Sequence, residues 1–359
     1  MRRKIMKMSC HFMLFLSLIF LNSAVCAMTK NDAKAAEEKL NSVLQNQHYQ
    51  KCDIGKLPAR VQLGMNGVPV LNSGWEWGAC TTFSVTAGLD ALFQLKGDQL
   101  ISQTCFIQLA RGLPTSKKWW SGGHLVDALT ILTRYGYWNQ HQQETITVKG
   151  NPACGGLKYY PISQGSNIED IPNFSAMPKK EIDRVAENLM KKDGGNGHPM
   201  AATLYKKYSD MRLKQRNWQV ISTHINSTNS LCVLSQIKKE LSLGHRVLIG
   251  MYFNEYLEDH AKTMGAIAYH HDKQDTWALT QKIYQDVKKN PKHFGSHDIL
   301  MTGYDNNACV RGKLLMPHKQ CGLLKLRNSV GANVGDQGDF YMTYDYFRAL
   351  SYTAVSLKQ

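Results

Sequence analysis

The chain has 359 residues, of which 43% are hydrophobic and 20% are charged. This composition excludes a disordered chain, and the length suffices for one large or two medium domains. The formal net charge is +15, but the positive residues are scattered and no basic motif interleaved with aromatic residues occurs, so we expect no nucleic-acid partner.

The first 27 residues have the pattern of a secretory signal peptide. Four basic residues within the first seven positions precede an apolar stretch from Phe12 to Leu21, and small residues end the segment at Ala27. The stretch is too short to span a bilayer comfortably, and no later stretch reaches the roughly 20 apolar residues of a spanning helix. We therefore predict a secreted protein, periplasmic or extracellular, without stable membrane insertion.

Residues 28–56 are predicted to be an N-terminal extension or a short prosegment, and the pattern leaves both open. Asn31 can cap an amphipathic helix there. One face of this helix carries four apolar residues, Ala33, Ala36, Leu40 and Leu44.

The next predicted helix runs from Thr81 to about Leu95 and places Cys80 at its N-terminus. The first amide N–H groups of a helix are unpaired and the helix dipole is positive at that end. We therefore expect the helix to favour the thiolate form of Cys80.

Downstream, Gly122 and Gly123 precede an amphipathic helix that ends at Gly136. The double glycine permits close approach of a ligand, although a plain turn explains it as well. Residues 150–215 and 255–293 have the composition of two insertions. Further helices are predicted at 182–191 and 234–243, and strands at 247–252, 299–304, 323–326 and 339–342.

Seven cysteines remain once the signal peptide is removed: Cys52, Cys80, Cys105, Cys154, Cys232, Cys309 and Cys321. In an oxidising compartment six of them can pair, which leaves one free and reactive thiol, although several could also be plain buried thiols. We predict a disulfide between Cys309 and Cys321, because these residues can close a local loop. The other pairings stay open.

Three residues far apart in the chain supply the parts of a thiol hydrolase: Cys80, His297 and Asn328. A thiol needs a neighbouring imidazole to become a nucleophile at neutral pH, and the imidazole needs a fixed partner that presents the correct nitrogen. We therefore predict a cysteine hydrolase with these three catalytic residues and with no metal or organic cofactor.

The context of the three residues resembles the papain-like cysteine peptidases. That family has Cys-Gly-Ser-Cys-Trp-Ala-Phe-Ser at the nucleophile, a histidine followed by Gly-Tyr, and Asn-Ser-Trp-Gly at the third residue. This chain has Gly78-Ala79-Cys80-Thr81-Thr82-Phe83-Ser84, then His297 with Gly303-Tyr304, then Asn328-Ser329-Val330-Gly331. The resemblance covers residues 57–359 and implies an α+β fold with two lobes, a helical one carrying Cys80 and a β-rich one carrying His297 and Asn328.

The resemblance also implies the chemistry. Cys80 would attack the scissile carbonyl to form a thioester acyl-enzyme, His297 would take the thiol proton and later protonate the leaving amine, and Asn328 would orient the imidazole. The implied enzyme is a monomeric endopeptidase acting on proteins or peptides, with Gly122 and Gly123 on the substrate side.

The family's oxyanion-hole glutamine is missing from this chain. Ser73 stands in its place if one residue is inserted before the nucleophile, and Gly74 does if none is. Loss of one oxyanion donor costs roughly 10² to 10³ in rate. A catalytically inactive binding protein is therefore one alternative, and a transamidase or deconjugase with the same triad is the other.

Three further departures concern the surroundings of the triad. Thr81 replaces the tryptophan after the nucleophile, and Val330 replaces the tryptophan that shields the asparagine, which predicts a wetter contact between His297 and Asn328. The 217 residues that separate Cys80 from His297 exceed the family's roughly 130 to 150. The two insertions explain this excess, and we expect them to shape or cover the cleft.

Overall fold

The computed structural model describes residues 28–45, 52, 55–71, 80–111, 124–148, 151, 152, 154, 209, 213–254, 275–310, 320–332 and 334–359. Several predictions concern residues outside these ranges: the signal peptide at 1–27, Ser73, Gly122 and Gly123, the helix at 182–191, and most of both insertions.

The described helices are α1 (Lys30–Leu44), α2 (Cys80–Phe93), α3 (Gln103–Arg111), α4 (Leu125–Tyr135), α5 (Gln140–Thr145), α6 (Ser230–Ser242), α7 (Gln281–Lys289) and α8 (Tyr344–Leu350). The described strands are β1 (Arg60–Gln62), β2 (Thr147–Val148), β3 (Asn151–Pro152), β4 (Trp218–Ser222), β5 (Arg246–Asn254), β6 (Thr276–Trp277), β7 (Phe294–Val310), β8 (Gln320–Arg327), β9 (Asp339–Thr343) and β10 (Ser351–Leu357).

Eight of these strands form one sheet in the order β4-β10-β5-β7-β8-β9-β6. The eighth, β1, pairs with residues 303–305 of β7, beyond the end of that strand's pairing with β5. Neighbouring strands are antiparallel except β6 and β9, which are parallel. Strands β2 and β3 form a separate two-stranded sheet. The long strand β7 is thus the centre of the sheet, and it carries His297.

Both faces of the sheet are covered, which explains why β5 is apolar at nearly every position. Leu248 faces a core that also holds side chains of α2, α3 and α4, whereas Val247, Ile249 and Met251 face the opposite core with α1, α6 and α8. This alternation follows from the two-residue period of a strand. The predicted α+β fold with a helical and a β-rich lobe is therefore confirmed.

Helix α2 lies unusually close to the sheet because a glycine faces it. A Cβ atom added at Gly88 would stand 2.5 Å from Cδ1 of Leu357 and 3.1 Å from Cδ1 of Leu300. A larger side chain would therefore push the helix away from β7 and β10. The close approach brings the N-terminus of α2, at Cys80, against the strand that carries His297.

The N-cap of helix α1 lies two residues before the predicted cap at Asn31. Its N-cap is Thr29, whose hydroxyl accepts the amide of Asp32 while the Asp32 carboxylate accepts the amide of Thr29. This reciprocal capping box satisfies two amides at once, which a cap at Asn31 would not do. Val43 rather than Leu44 is the last buried apolar residue of the helix.

Helix α1 is part of the core of the β-rich lobe. Ala36, Leu40 and Val43 share one buried cluster with residues of α7 and α8. The second predicted insertion is described from residue 275 onward, where it adds β6 to the sheet edge and packs α7 against α1. The described part of this insertion therefore supports the β-rich lobe.

Three disulfides link Cys52 to Cys232, Cys105 to Cys154 and Cys309 to Cys321. The predicted Cys309–Cys321 pair is confirmed and joins β7 to β8. Among the described cysteines, Cys80 is the one outside a disulfide. The three bonds are consistent with an extracellular location. None of the helices in the described ranges has the length and apolar character that a bilayer span needs.

Lys39 is buried on the inner side of α1, where its Nζ donates to the Ser351 carbonyl at 2.7 Å. Burial lowers the pKa of Lys39 to about 7, and the nearby Asp32 carboxylate offsets this only in part. An unfolded lysine keeps its proton to about pH 10.4. Between pH 7 and that value the unfolded chain binds more protons than the folded one, so stability rises with pH.

We predict that Lys39→Met removes this pH dependence. From pH 7 to pH 9 the wild type should gain about 2–3 kcal/mol of unfolding free energy that the variant lacks. Urea unfolding at the two pH values measures the difference. Lys34→Met, which changes an exposed lysine of the same helix, should keep the wild-type dependence. Equal pH dependence in Lys39→Met and wild type would contradict the burial of this amine.

Candidate active site

His297 and Asn328 lie in contact where β7 and β8 run side by side. Nε2 of His297 is 3.0 Å from Oδ1 of Asn328, and the amide of Ser329 donates to the same Oδ1 at 2.9 Å. Because that atom accepts a backbone N–H, it is assigned as the oxygen, and Nε2 of the ring must carry the hydrogen. In the neutral imidazole this leaves Nδ1 as the unprotonated nitrogen, which can act as the base.

The contact between His297 and Asn328 is dry, so the prediction of a wetter contact is wrong. His297 is 3% exposed and Asn328 is 4% exposed. Phe253 of β5 packs edge-on against the imidazole, with ring centroids 5.5 Å apart, and Val330 is itself buried. The side chain from the neighbouring strand and the valine together exclude water without the family's tryptophan.

Cys80 is the first residue of α2, as predicted, and it is half-buried. The backbone N–H groups of Asp298 and Thr81 lie close enough to its sulfur to lower the pKa of the Cys80 thiol. The first of these donors belongs to the residue directly after His297. The structure therefore places Cys80 beside the residue that follows His297, between the N-terminus of α2 and the β7–β8 pair.

The helix N-terminus acts on the Cys80 thiol in the expected direction, but burial opposes it. Burial, with a smaller contribution from the Asp298 carboxylate, raises the pKa of the Cys80 thiol to about 12, while the backbone amides of Asp298 and Thr81 and the Thr81 hydroxyl oppose the rise. Burial also lowers the pKa of His297 to about 4, although the hydrogen bond to Asn328 opposes this. Desolvation outweighs the helix N-terminus, so at pH 7 the proton rests on sulfur and the ring is neutral.

Sequence reasoning missed one residue of this site, Asp298. The Thr81 hydroxyl donates to its carboxylate at 2.5 Å, and both residues are buried. Burial raises the pKa of Asp298 to about 7, while the hydrogen bond from Thr81 lowers it. The available signal was the coincidence of two unusual neighbours, a threonine directly after the nucleophile and an aspartate directly after the base.

The remaining predicted site residues, Ser73, Gly122 and Gly123, lie outside the described ranges. Beside the site is a small cavity whose lining includes Leu71, Phe83, Asp298, Asn328 and Ser329. A larger described cavity of about 260 Å³ lies elsewhere, between β1, β7, β8 and β9, and none of the three triad candidates lines it. No cluster of three or more metal-ligating side chains occurs within the described ranges.

No protein-family profile and no curated protein matches the chain. Several solved structures, however, match the chain. Xylellain, a cysteine protease from Xylella fastidiosa, superposes with a TM-score of 0.50 over 87% of this chain and 90% of its own, at 16% sequence identity. The fold is papain-like.

Two plant proteins share the papain-like arrangement more distantly. The Amb a 11 cysteine protease of ragweed pollen, in its proform, has a TM-score of 0.44 and 12% identity over 91% of this chain and 76% of its own. The Carica candamarcensis cysteine protease CMS1MS2, in complex with E-64, has a TM-score of 0.43 and 14% identity over 84% of this chain and all of its own. The fold assignment rests on xylellain.

We predict that Asn328→Ala lowers kcat/KM by about 10², because the imidazole loses the partner that fixes its tautomer and orientation. The hydrogen bond that His297 donates to Asn328 raises the pKa of His297, so the acid limb of the pH profile should move to lower pH in the variant. Steady-state kinetics on a peptide substrate across pH measure both effects. Asn307→Ala, at an exposed position of β7, is the matched control. A variant within threefold of wild type would contradict the orienting role.

Proposed function

We propose that this protein is a secreted cysteine peptidase that cleaves protein or peptide substrates through a thioester acyl-enzyme, with Cys80, His297 and Asn328 as the triad. The observation that carries the proposal is the hydrogen bond from Nε2 of His297 to Oδ1 of Asn328. It leaves Nδ1 as the unprotonated nitrogen of a buried imidazole, and the residue after His297 lies beside the Cys80 sulfur.

The neutral resting pair favours a mechanism in which the nucleophile forms when substrate arrives. Nδ1 of His297 takes the Cys80 proton as the sulfur attacks the scissile carbonyl, and the imidazolium then protonates the leaving amine. The same nitrogen then deprotonates the water that hydrolyses the thioester, and the imidazolium returns this proton to the departing sulfur. The Cys80 amide at the start of α2 is one donor to the oxyanion, and Ser73 remains the predicted second donor.

We further propose that residues 28–56 stay with the mature enzyme rather than leave as a prosegment. Two observations support this: α1 contributes Leu40 and Val43 to the core of the β-rich lobe, and Cys52 is bonded to Cys232 of α6. Cleavage between α1 and β1 would leave Cys52 attached. Release of residues 1–27 as a signal peptide, and hence export, also belongs to this proposal.

A second function deserves its own test, because two observations favour it. The oxyanion glutamine is missing, and burial keeps Cys80 and His297 neutral. Both are compatible with a catalytically inactive protein that uses the cleft of a papain-like fold to bind a partner.

Covalent labelling tests the proposed nucleophile. An epoxysuccinyl inhibitor should add to the folded protein once, at Cys80, because the other six described cysteines are in disulfides. Intact-mass and peptide mass spectrometry measure the stoichiometry and the position. Cys80→Ala should remove the label, and heat-denatured wild type should not acquire it, since the reaction requires the assembled site. A label that persists in Cys80→Ala would overturn the assignment.

Turnover then separates peptidase from binding protein. A panel of peptide-coumarin substrates should be hydrolysed by wild type and not by Cys80→Ala. Labelling without hydrolysis of any peptide would favour the inactive binding protein. Transfer of the acyl group to an added amine in preference to water would instead indicate a transamidase.

A further inference from the structure

Three polar groups lie in a row at the junction of the two lobes: the Cys80 sulfur, the Thr81 hydroxyl and the Asp298 carboxyl. The hydroxyl is 2.5 Å from the carboxyl oxygen and also within hydrogen-bonding reach of the sulfur. Thr81 is 2% exposed and Asp298 is 4% exposed. One partner follows the nucleophile and the other follows the base, so their bond links α2 to β7 at both reacting residues.

Within the described residues, few other charges surround Asp298. Across the sheet it faces Gly250 of β5, and on its own strand its neighbour is His297. From β8, Arg327 lines the same small cavity, but its guanidinium is held by Asp339 at 2.5 Å. From α2 the titratable neighbour is Cys80. The Asp298 carboxyl therefore interacts mainly with the nucleophile and with the hydroxyl between them.

We propose that Thr81 and Asp298 are positioning residues that tune the reactivity of Cys80, with Asp298 acting on the sulfur through the Thr81 hydroxyl. The inference rests on the proposed peptidase function for its biological meaning. Its physical basis is that a hydroxyl has one hydrogen to donate and two candidate acceptors here.

The direction of the hydroxyl depends on the charge of Asp298. An ionised Asp298 accepts the Thr81 hydrogen, so the sulfur loses that donor and also faces a nearby negative charge, and both effects disfavour the thiolate. A protonated Asp298 can donate to the Thr81 oxygen, which frees the Thr81 hydrogen to point at the sulfur. Burial raises the pKa of Asp298 to about 7, so the change falls in the neutral range, and the thiolate is favoured on its acid side.

The test is the rate of iodoacetamide alkylation of Cys80 from pH 5 to pH 9 in the full-length protein, read at the peptide that contains Cys80. Asp298→Asn keeps the shape and, like a protonated carboxyl, can donate to Thr81. Its rate relative to wild type should be near one at pH 5 and rise to about tenfold at pH 9, where only the wild type carries the charge. The control is Asp90→Asn, which replaces a buried carboxyl in α2. This variant should give a flat ratio.

Variants of the hydroxyl complete the test. Thr81→Val should slow alkylation about tenfold at pH 5, because the sulfur loses its donor, while Thr81→Ser should stay within threefold of wild type at every pH. If near-UV circular dichroism shows that Thr81→Val does not fold, Thr81→Ser and Asp298→Asn decide the matter. A flat Asp298→Asn ratio, or a loss in Thr81→Ser as large as in Thr81→Val, would overturn the proposal.

Alkylation needs no substrate turnover, so this result is independent of the proposed function. If the protein is inactive and the Asp298→Asn ratio rises, the positioning role of Thr81 and Asp298 stands and the peptidase assignment fails. If the protein is an active peptidase and the ratio is flat, the peptidase assignment stands and the positioning role of Thr81 and Asp298 fails.

Discussion

The close contact of α2 with β7 and β10 is the constraint on which the candidate site depends. It brings Cys80 to a strand residue more than two hundred positions away, and it is possible because Gly88 presents no side chain to Leu300 and Leu357. The apolar side chains at this junction belong to the core of the helical lobe. The energy that holds the site together is therefore hydrophobic burial beneath it, and the polar groups are placed by that packing.

The same burial sets the electrical state of the site. Desolvation moves the pKa of Cys80 up and that of His297 down, which favours a proton on the sulfur and a neutral imidazole. The cost of this arrangement is a thiol that needs help to ionise, and the benefit is a site that does not expose a reactive thiolate to an oxidising compartment. Asp298 lies where it can shift this balance, since among the described residues it is the charged neighbour that acts on the sulfur.

Local patterns in the sequence sufficed for part of the architecture. The buried run of β5, the helix that starts at Cys80 and the nearby Cys309–Cys321 pair were all predictable, because each depends on periodicity or on short separations. The cap of α1 was misplaced by two residues because Thr29 offers a capping box that Asn31 does not. Such a choice between adjacent capping residues is decided by local geometry.

What the sequence could not supply is the outcome of long-range packing. The bond between Thr81 and Asp298 joins residues whose partnership no local pattern encodes, and the parallel pairing of β6 with β9 arises from a segment with only two strand residues. The helix N-terminus lowers the pKa of Cys80, as expected, but burial raises it by more. The helix N-terminus is a local feature, whereas desolvation depends on what the rest of the chain places around the sulfur.

The most direct test of the account is detection of the acyl-enzyme. Wild type mixed with an activated peptide ester and quenched in acid within the first turnover should show, by intact-mass and peptide mass spectrometry, one acyl group on Cys80 that disappears as hydrolysis completes. Ester or peptide hydrolysis that proceeds with no acyl group on Cys80, or that survives its replacement by alanine, would contradict the central claim.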